Sequence, residues 1–266
     1  MAVRVTVQRR PRGIPLRAVV PNAITALALC SGLSGVRFAI MGEWERAVGM
    51  IVLAGVLDGL DGRVARILRG ESRFGAELDS LADAISFGVS PALVLYLWSL
   101  QYAPRLGWIA ALMLAVFCAL RLARFNAQID ADEGPRKAAG FFTGVPAPAG
   151  AGLAMLPLII WLWSGEPILR NYWLVAPWVA GIALLMVSSL PTYSWKSFRL
   201  RRTVRFEAIA AVVVLAAALV TAPWQTLTVV SALYLLAIPF SIASYARIRR
   251  RAADGSLRAP VLPPSA

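Results

Sequence analysis

Residues 57–84 read LDGLDGRVARILRGESRFGAELDSLADA, and the reading of this stretch decides the fold. Asp58 and Asp61 stand three residues apart and Asp79 and Asp83 four apart. Both spacings stack two carboxylates on one face of an α-helix. A short Gly-containing turn over 69–74 makes the two helices antiparallel neighbours. Asp61 and Asp79 then lie a few residues into their helices and Asp58 and Asp83 about one turn deeper, at ~1.5 Å rise per residue. Four carboxylates can therefore meet at a similar depth.

Outward from this stretch the chain is apolar. Of its 266 residues, 59% are hydrophobic and only 15% charged, against roughly 25% charged in soluble domains. Apolar runs near the ~20 residues needed to cross a bilayer recur along it. They predict an all-α polytopic membrane bundle of about eight transmembrane helices, over 19–41, 45–68, 74–101, 106–128, 145–163, 172–189, 206–221 and 224–247. The acids of 57–84 thus lie at membrane depth, where each costs roughly 2.5 to 3.5 kcal/mol at mid-bilayer and less near the interface. Arg63, Arg66 and divalent cations are the available compensating charges. An all-oxygen donor set suits Mg²⁺, Mn²⁺ or Ca²⁺ rather than Zn²⁺ or copper. Two such ions would cancel four carboxylates.

The 27 Lys and Arg against 14 Asp and Glu do not mark a nucleic-acid partner, because no basic face with interleaved aromatics stands outside the membrane. The bases lie in the loops. Arg9, Arg10, Arg12 and Arg17, then Arg69 and Arg73, Arg136 and Lys137, Lys196 to Arg205, and Arg247 to Arg251 all fall on one side, against the sparse Arg37, Arg46, Arg105 and Arg170. By the positive-inside rule both termini face the cytoplasm. Residues 1–18, basic and broken by Pro11 and Pro15, read as a juxtamembrane arm; 19–251 as one membrane domain; 252–266 as a disordered tail. No small-residue cleavage site followed by a polar chain marks the first apolar run as a signal peptide. Cys30 and Cys118 fall inside spans and read as packing residues. The histidine count is zero, which removes imidazole chemistry and leaves catalysis to carboxylates, other oxygens and bases.

Gly55, Gly59 and Gly62 recur on or beside the aspartate face and Gly75 opens the next helix. Two readings stand: close helix packing, or room for a ligand to reach the acids. Arg66, near the end of its helix, either pairs with a diphosphate or snorkels to the interface.

The pattern Asp58-x2-Asp61-Gly62-x2-Ala65-Arg66-x8-Gly75-x3-Asp79-x3-Asp83 resembles the signature of the CDP-alcohol phosphatidyltransferases at all eight defining positions. That resemblance implies a homodimer with a six-helix core, a cytoplasm-facing active site and a two-metal centre using Mg²⁺ or Mn²⁺. It implies metal ligation by Asp58, Asp61, Asp79 and Asp83, with Asp83 also the general base. Asp61, Gly62, Ala65, Arg66 and Gly75 would line the CDP pocket. Residues 85–91 (ISFGVSP), 121–126 (RLARFN) and 141–150 (FFTGVPAPAG) are similar to the serine-using branch. Its substrates would be CDP-diacylglycerol and L-serine, in contact with membrane lipid. The acceptor carboxylate then wants a fixed cation, and Arg121 and Arg124, three apart at one helix end with Asn126 close by, meet that need. Positive-inside anchoring is the rival for those arginines. Pro146 and Pro148 shape a helix start.

The reaction so implied is direct displacement: Asp83 takes the proton of the serine hydroxyl, the oxygen attacks the lipid-bearing phosphorus, and CMP leaves. Three rivals remain. Glycerol phosphate, inositol phosphate or choline would be another acceptor. A divalent-cation transporter would also carry intramembrane acids, although it gives no reason for the Gly62, Ala65, Arg66, Gly75 pattern. Interhelical polar pairs with no ligand would leave four acids without adequate counterions.

Overall fold

The computed structural model describes residues 16–103, 105–129, 141–188, 191–193 and 205–253. Most of the arm and of the tail, and the basic segments at 136–137 and 196–202, lie outside the described residues. Helix α1 (Leu16–Ile40) turns at Gly42, whose φ is +76°, into α2 (Trp44–Leu68). The pair forms a tight antiparallel hairpin. A Cβ on Gly35 would stand 3.0 Å from the Ala47 carbonyl, and Ser31 donates to the Met50 carbonyl at 2.7 Å. Lipid tails are as apolar as leucine, so close packing of small residues, rather than exclusion from water, draws such helices together.

Helix α2 ends in a left-handed residue, Arg69 at φ 50°. The Gly70 amide donates to the Ala65 carbonyl at 2.9 Å and the Arg69 amide to the Arg66 carbonyl at 3.3 Å, which is the Schellman arrangement of a closed helix end. A glycine at the left-handed position would be the ordinary choice. Here the glycine is one residue later, because a Cβ on Gly70 would lie 2.2 Å from the Arg17 carbonyl of α1. Close approach, not dihedral freedom, takes the glycine.

Ser72 then caps α3 (Arg73–Asp83), its hydroxyl accepting from the Gly75 amide at 3.0 Å. A π-helical turn (Ala84–Val89) joins α3 to α4 (Ser90–Trp98), so Arg73–Trp98 is one 26-residue span. Such turns widen a helix locally and recur at functional sites. This one starts at the residue after Asp83. Its Ser86 and Gly88 sit close against Gly32 of α1 and Cys118 of the next helix.

Helix α5 (Leu106–Ile129) follows, then α6 (Ala147–Ala154) and α7 (Leu156–Ser164), α8 (Tyr172–Val187), α9 (Arg205–Thr221) and α10 (Pro223–Ala253). A short antiparallel ladder pairs β1 (Phe141–Thr143) with β2 (Pro191–Tyr193), in the register Phe141 with Tyr193. It ties the start of α6 to the end of α8. The expected span 145–163 is broken by 45° between α6 and α7, because Pro157 enters the first turn of α7 without an amide to donate. Pro146 and Pro148 stand at the start of α6, as expected from the sequence.

The core, with Phe87, Leu95, Trp98, Leu114, Leu158 and Met186 fully buried, lies where α4, α5, the α6–α7 pair and α8 meet. Outside it the surface is apolar: Leu27, Ile109, Val116, Val212, Val214 and Val220 are all exposed. A water-soluble fold would not leave so much large aliphatic surface uncovered. Leu16–Ile40, Arg73–Trp98 and Leu106–Ile129 contain stretches long and apolar enough to cross a bilayer, and the bent α6–α7 pair is a fourth. Helix α2 matches them in length, but Asp58, Asp61 and Arg63 interrupt its apolar run. This is an integral membrane protein of all-α class.

Candidate metal and substrate site

The site is built where α2 runs into α3, with α1 behind it. Asp58 and Asp61 on α2 and Asp79 on α3 each bring one carboxylate oxygen to within 4.8 Å of the other two. Asp61 is the least exposed, at 5%, and Asp58, Asp79 and Asp83 are half-buried. The Asp83 carboxyl lies against that of Asp58 but is not one of the three converging oxygens. One helical turn separates it from Asp79, which moves it deeper along the span.

What fixes Asp61 is Thr25 of α1, whose hydroxyl is 2.6 Å from the Asp61 carboxylate and 3.1 Å from the Pro21 carbonyl. A hydroxyl has one proton, and the charged acceptor at the shorter distance holds it more strongly. Asn22 stands one turn earlier on α1. A Cβ on Gly75 would meet its Oδ1 at 2.8 Å and the Ser72 hydroxyl at 3.2 Å. Gly75 thus serves the close approach of α1 to the start of α3.

Among the described residues no arginine forms an ion pair with these acids. Arg63 and Arg66, the protein cations named for that role, are exposed, and the ion pair between Arg46 and Glu43 belongs to the α1–α2 turn at the other end of the hairpin. Carboxylates clustered at membrane depth with no ion-paired arginine among the described residues fit a hard divalent cation, whose preferred donors are oxygens. The donor set passes that test. Beside it the surface is open: a Cβ on Gly62 would meet no atom within 4 Å, and the same holds for Gly59. Ala65 is half-buried and Arg66 occupies the last turn of α2.

The three acceptor-side candidates on α5 go to different partners. Arg124 donates to the Val187 carbonyl at 3.0 Å, capping the end of α8. Asn126 donates to the Ser80 hydroxyl at 2.8 Å, next to Asp79. Arg121 is half-buried, within electrostatic reach of Asp83, and its buried Nε has no hydrogen-bond partner. Thr25, Asn22 and Ser80 are absent from the sequence reading of the site. Asn22 and Thr25 do leave a trace in it, two polar residues three apart in an otherwise apolar run.

A family model described as CDP-alcohol phosphatidyltransferase matches residues 18–189, and a second, CDP-alcohol phosphatidyltransferase 2, matches residues 204–239. The chain is 42% identical over 236 residues to the CDP-diacylglycerol–serine O-phosphatidyltransferase of Mycobacterium tuberculosis (strain CDC 1551 / Oshkosh), covering 89% of this chain and 82% of the relative. It is 41% identical over 234 residues to the same-named protein of Mycobacterium leprae (strain TN), covering 88% and 77%. With that of Bacillus subtilis (strain 168) it shares 33% over 171 residues, covering 64% and 88%.

Proposed function

We infer that this chain, which belongs to the CDP-alcohol phosphatidyltransferase family, is a phosphatidylserine synthase that transfers the phosphatidyl group of CDP-diacylglycerol to the hydroxyl of L-serine and releases CMP. The observation that carries the reading is the convergence of the Asp58, Asp61 and Asp79 oxygens within 4.8 Å, beside the open surface at Gly62. Relatives named for the serine reaction extend over most of the chain.

Asp58, Asp61 and Asp79 would hold the divalent cation, Asp83 would complete a two-ion set, and the ions are Mg²⁺ or Mn²⁺. Bound there, a divalent cation supplies charge neutralisation for the diphosphate and polarisation of its phosphoryl oxygens. The protein side of the chemistry follows from position. Gly62 and Ala65 leave room for the nucleotide over the acids, Gly75 lets α1 close on the start of α3 at the pocket's edge, and Arg66 meets diphosphate charge at the end of α2. Thr25 keeps Asp61 in one orientation. Asp83, the deepest acid on α3, accepts the proton as the serine O–H bond breaks and its oxygen bonds to the lipid-bearing phosphorus. The bond from that phosphorus to the CMP oxygen breaks in the same displacement, and CMP carries the electron pair away. Of the three acceptor-side candidates, Arg121 is the cation left to meet the acceptor, while Arg124 is held by the Val187 carbonyl and Asn126 by the Ser80 hydroxyl.

The turn between α2 and α3, with Arg69 and Arg73 and with Arg17 beside it, faces the cytoplasm in this reading. The excess of basic residues at that end supports the assignment, and the enzyme works in the cytoplasmic membrane as a homodimer, with 19–251 as its single catalytic unit. Purified protein supplied with CDP-diacylglycerol, Mn²⁺ or Mg²⁺ and one alcohol at a time tests it. Serine-dependent CMP release is the expected result. Release with glycerol phosphate, inositol phosphate or choline instead would transfer the reading to another acceptor, and release with none would return the acids to ion transport.

A further inference from the structure

Among the described residues, Ser90 Oγ, Trp98 Nε1, Arg121 Nε and Tyr234 Oη are buried polar atoms without a hydrogen-bond partner. Two of the four belong to residues within electrostatic reach of each other, Arg121 on α5 and Tyr234 on α10, and Arg121 is also in reach of Asp83. Both unmatched atoms are N–H or O–H donors. A buried donor left unpaired costs free energy in the empty protein, and such a cost persists where a ligand removes it. Arg121 forms no ion pair among the described residues. Its two neighbours on the same helix end, Arg124 and Asn126, are already committed to Val187 and Ser80. The unmatched group is therefore a cation and a phenol, from two helices far apart in sequence, and its cation is the member in reach of the candidate proton acceptor.

We propose that Tyr234 and Arg121 together seat the carboxylate of the acceptor amino acid, placing its hydroxyl at Asp83. A carboxylate brings two oxygens to two donors, one of them charged. This rests on the serine reading above and deepens it. Tyr234 lies outside the first family match, 18–189, and inside the second, 204–239. The last helix thus adds a second donor to the cation that the 18–189 segment supplies. A phosphate-bearing acceptor would ask for more cations than this seat has, and choline offers no carboxylate for it.

The test is CMP release by the 266-residue chain at saturating CDP-diacylglycerol and Mn²⁺, with L-serine varied. Tyr234→Phe removes one oxygen and keeps the packing of the ring. It should raise the KM for serine by about tenfold and leave the KM for CDP-diacylglycerol within about twofold, and Arg121→Lys should act in the same direction. An unchanged serine KM in both variants, or a loss confined to kcat, overturns the seat while leaving the serine activity standing. If Tyr234→Phe does not fold, the unmutated protein answers through L-serinamide, which keeps the ammonium and hydroxyl but not the carboxylate charge. Inhibition at least tenfold weaker than competition by serine itself supports the seat, on the scale of one lost charged hydrogen bond, and equal potency overturns it. Absence of any serine-dependent release from the unmutated protein sinks the serine reading itself, before a variant is made.

Discussion

Thr25 on α1 is 2.6 Å from the carboxylate of Asp61 on α2, the most buried acid of the site. The two residues are 36 positions apart, and the contact ties the first helix to the metal site. Thr25→Val keeps the shape and removes the donor. Groups that orient metal ligands typically support 10 to 100-fold in affinity or activity. The variant should need about tenfold more Mn²⁺ for half-maximal CMP release, and Thr25→Ser should restore most of the loss. An unchanged Mn²⁺ requirement would make Thr25 a packing residue.

Asp83→Asn is nearly isosteric and cannot accept a proton. Turnover should fall by about 10² to 10⁴-fold, the usual worth of a positioned base, while CDP-diacylglycerol still protects the protein against thermal unfolding. Near-normal turnover would remove Asp83 from the base role and leave it, at most, a ligand.

Chelation separates the oxygen-donor reading from a softer site. EDTA should abolish CMP release, Mg²⁺ or Mn²⁺ should restore it, and Zn²⁺ should not, because the donors are all carboxylate oxygens. Asp79→Asn removes one of the three converging charges and should shift the Mn²⁺ titration to higher concentration by about 10 to 100-fold. Full activity after exhaustive chelation would defeat this assignment.

Two glycines in one turn region should behave oppositely. Gly70→Ala drives a Cβ to 2.2 Å from the Arg17 carbonyl, a backbone contact that cannot rotate away, and should cost about 1 to 3 kcal/mol in stability. Thermal unfolding followed by size-exclusion elution reads this. Gly62 faces open space, so Gly62→Leu should leave the unfolding temperature nearly unchanged and raise the KM for CDP-diacylglycerol by about tenfold, as a bulky side chain fills the nucleotide's room. If Gly62→Leu left that KM unmoved, the nucleotide would lie elsewhere.

Much of the site was legible in the chain because helical geometry is local. A spacing of three or four residues puts Asp58 with Asp61, and Asp79 with Asp83, on one face whatever the rest does, and a turn of a few residues makes their helices neighbours. The same rule placed Arg121 and Arg124 on one face, yet Arg124 is spent on the end of α8 and Arg121 is not. Shared face does not fix shared partner. The break at Met155 and the π turn after Asp83 were read as smooth helix, since an apolar run has the same hydropathy whether straight or bent.

The amino-acid order by itself determined that this is a membrane bundle, where its acids fall and which helices carry them, because burial in lipid demands long apolar helices and leaves polar residues conspicuous. Only the tertiary structure decided that oxygens of Asp58, Asp61 and Asp79 converge while Asp83 meets Asp58, that Thr25 holds Asp61, and that Arg121 and Tyr234 keep buried donors without a partner. Those choices depend on crossing angles and close approaches between helices distant in the chain, and no local periodicity encodes them.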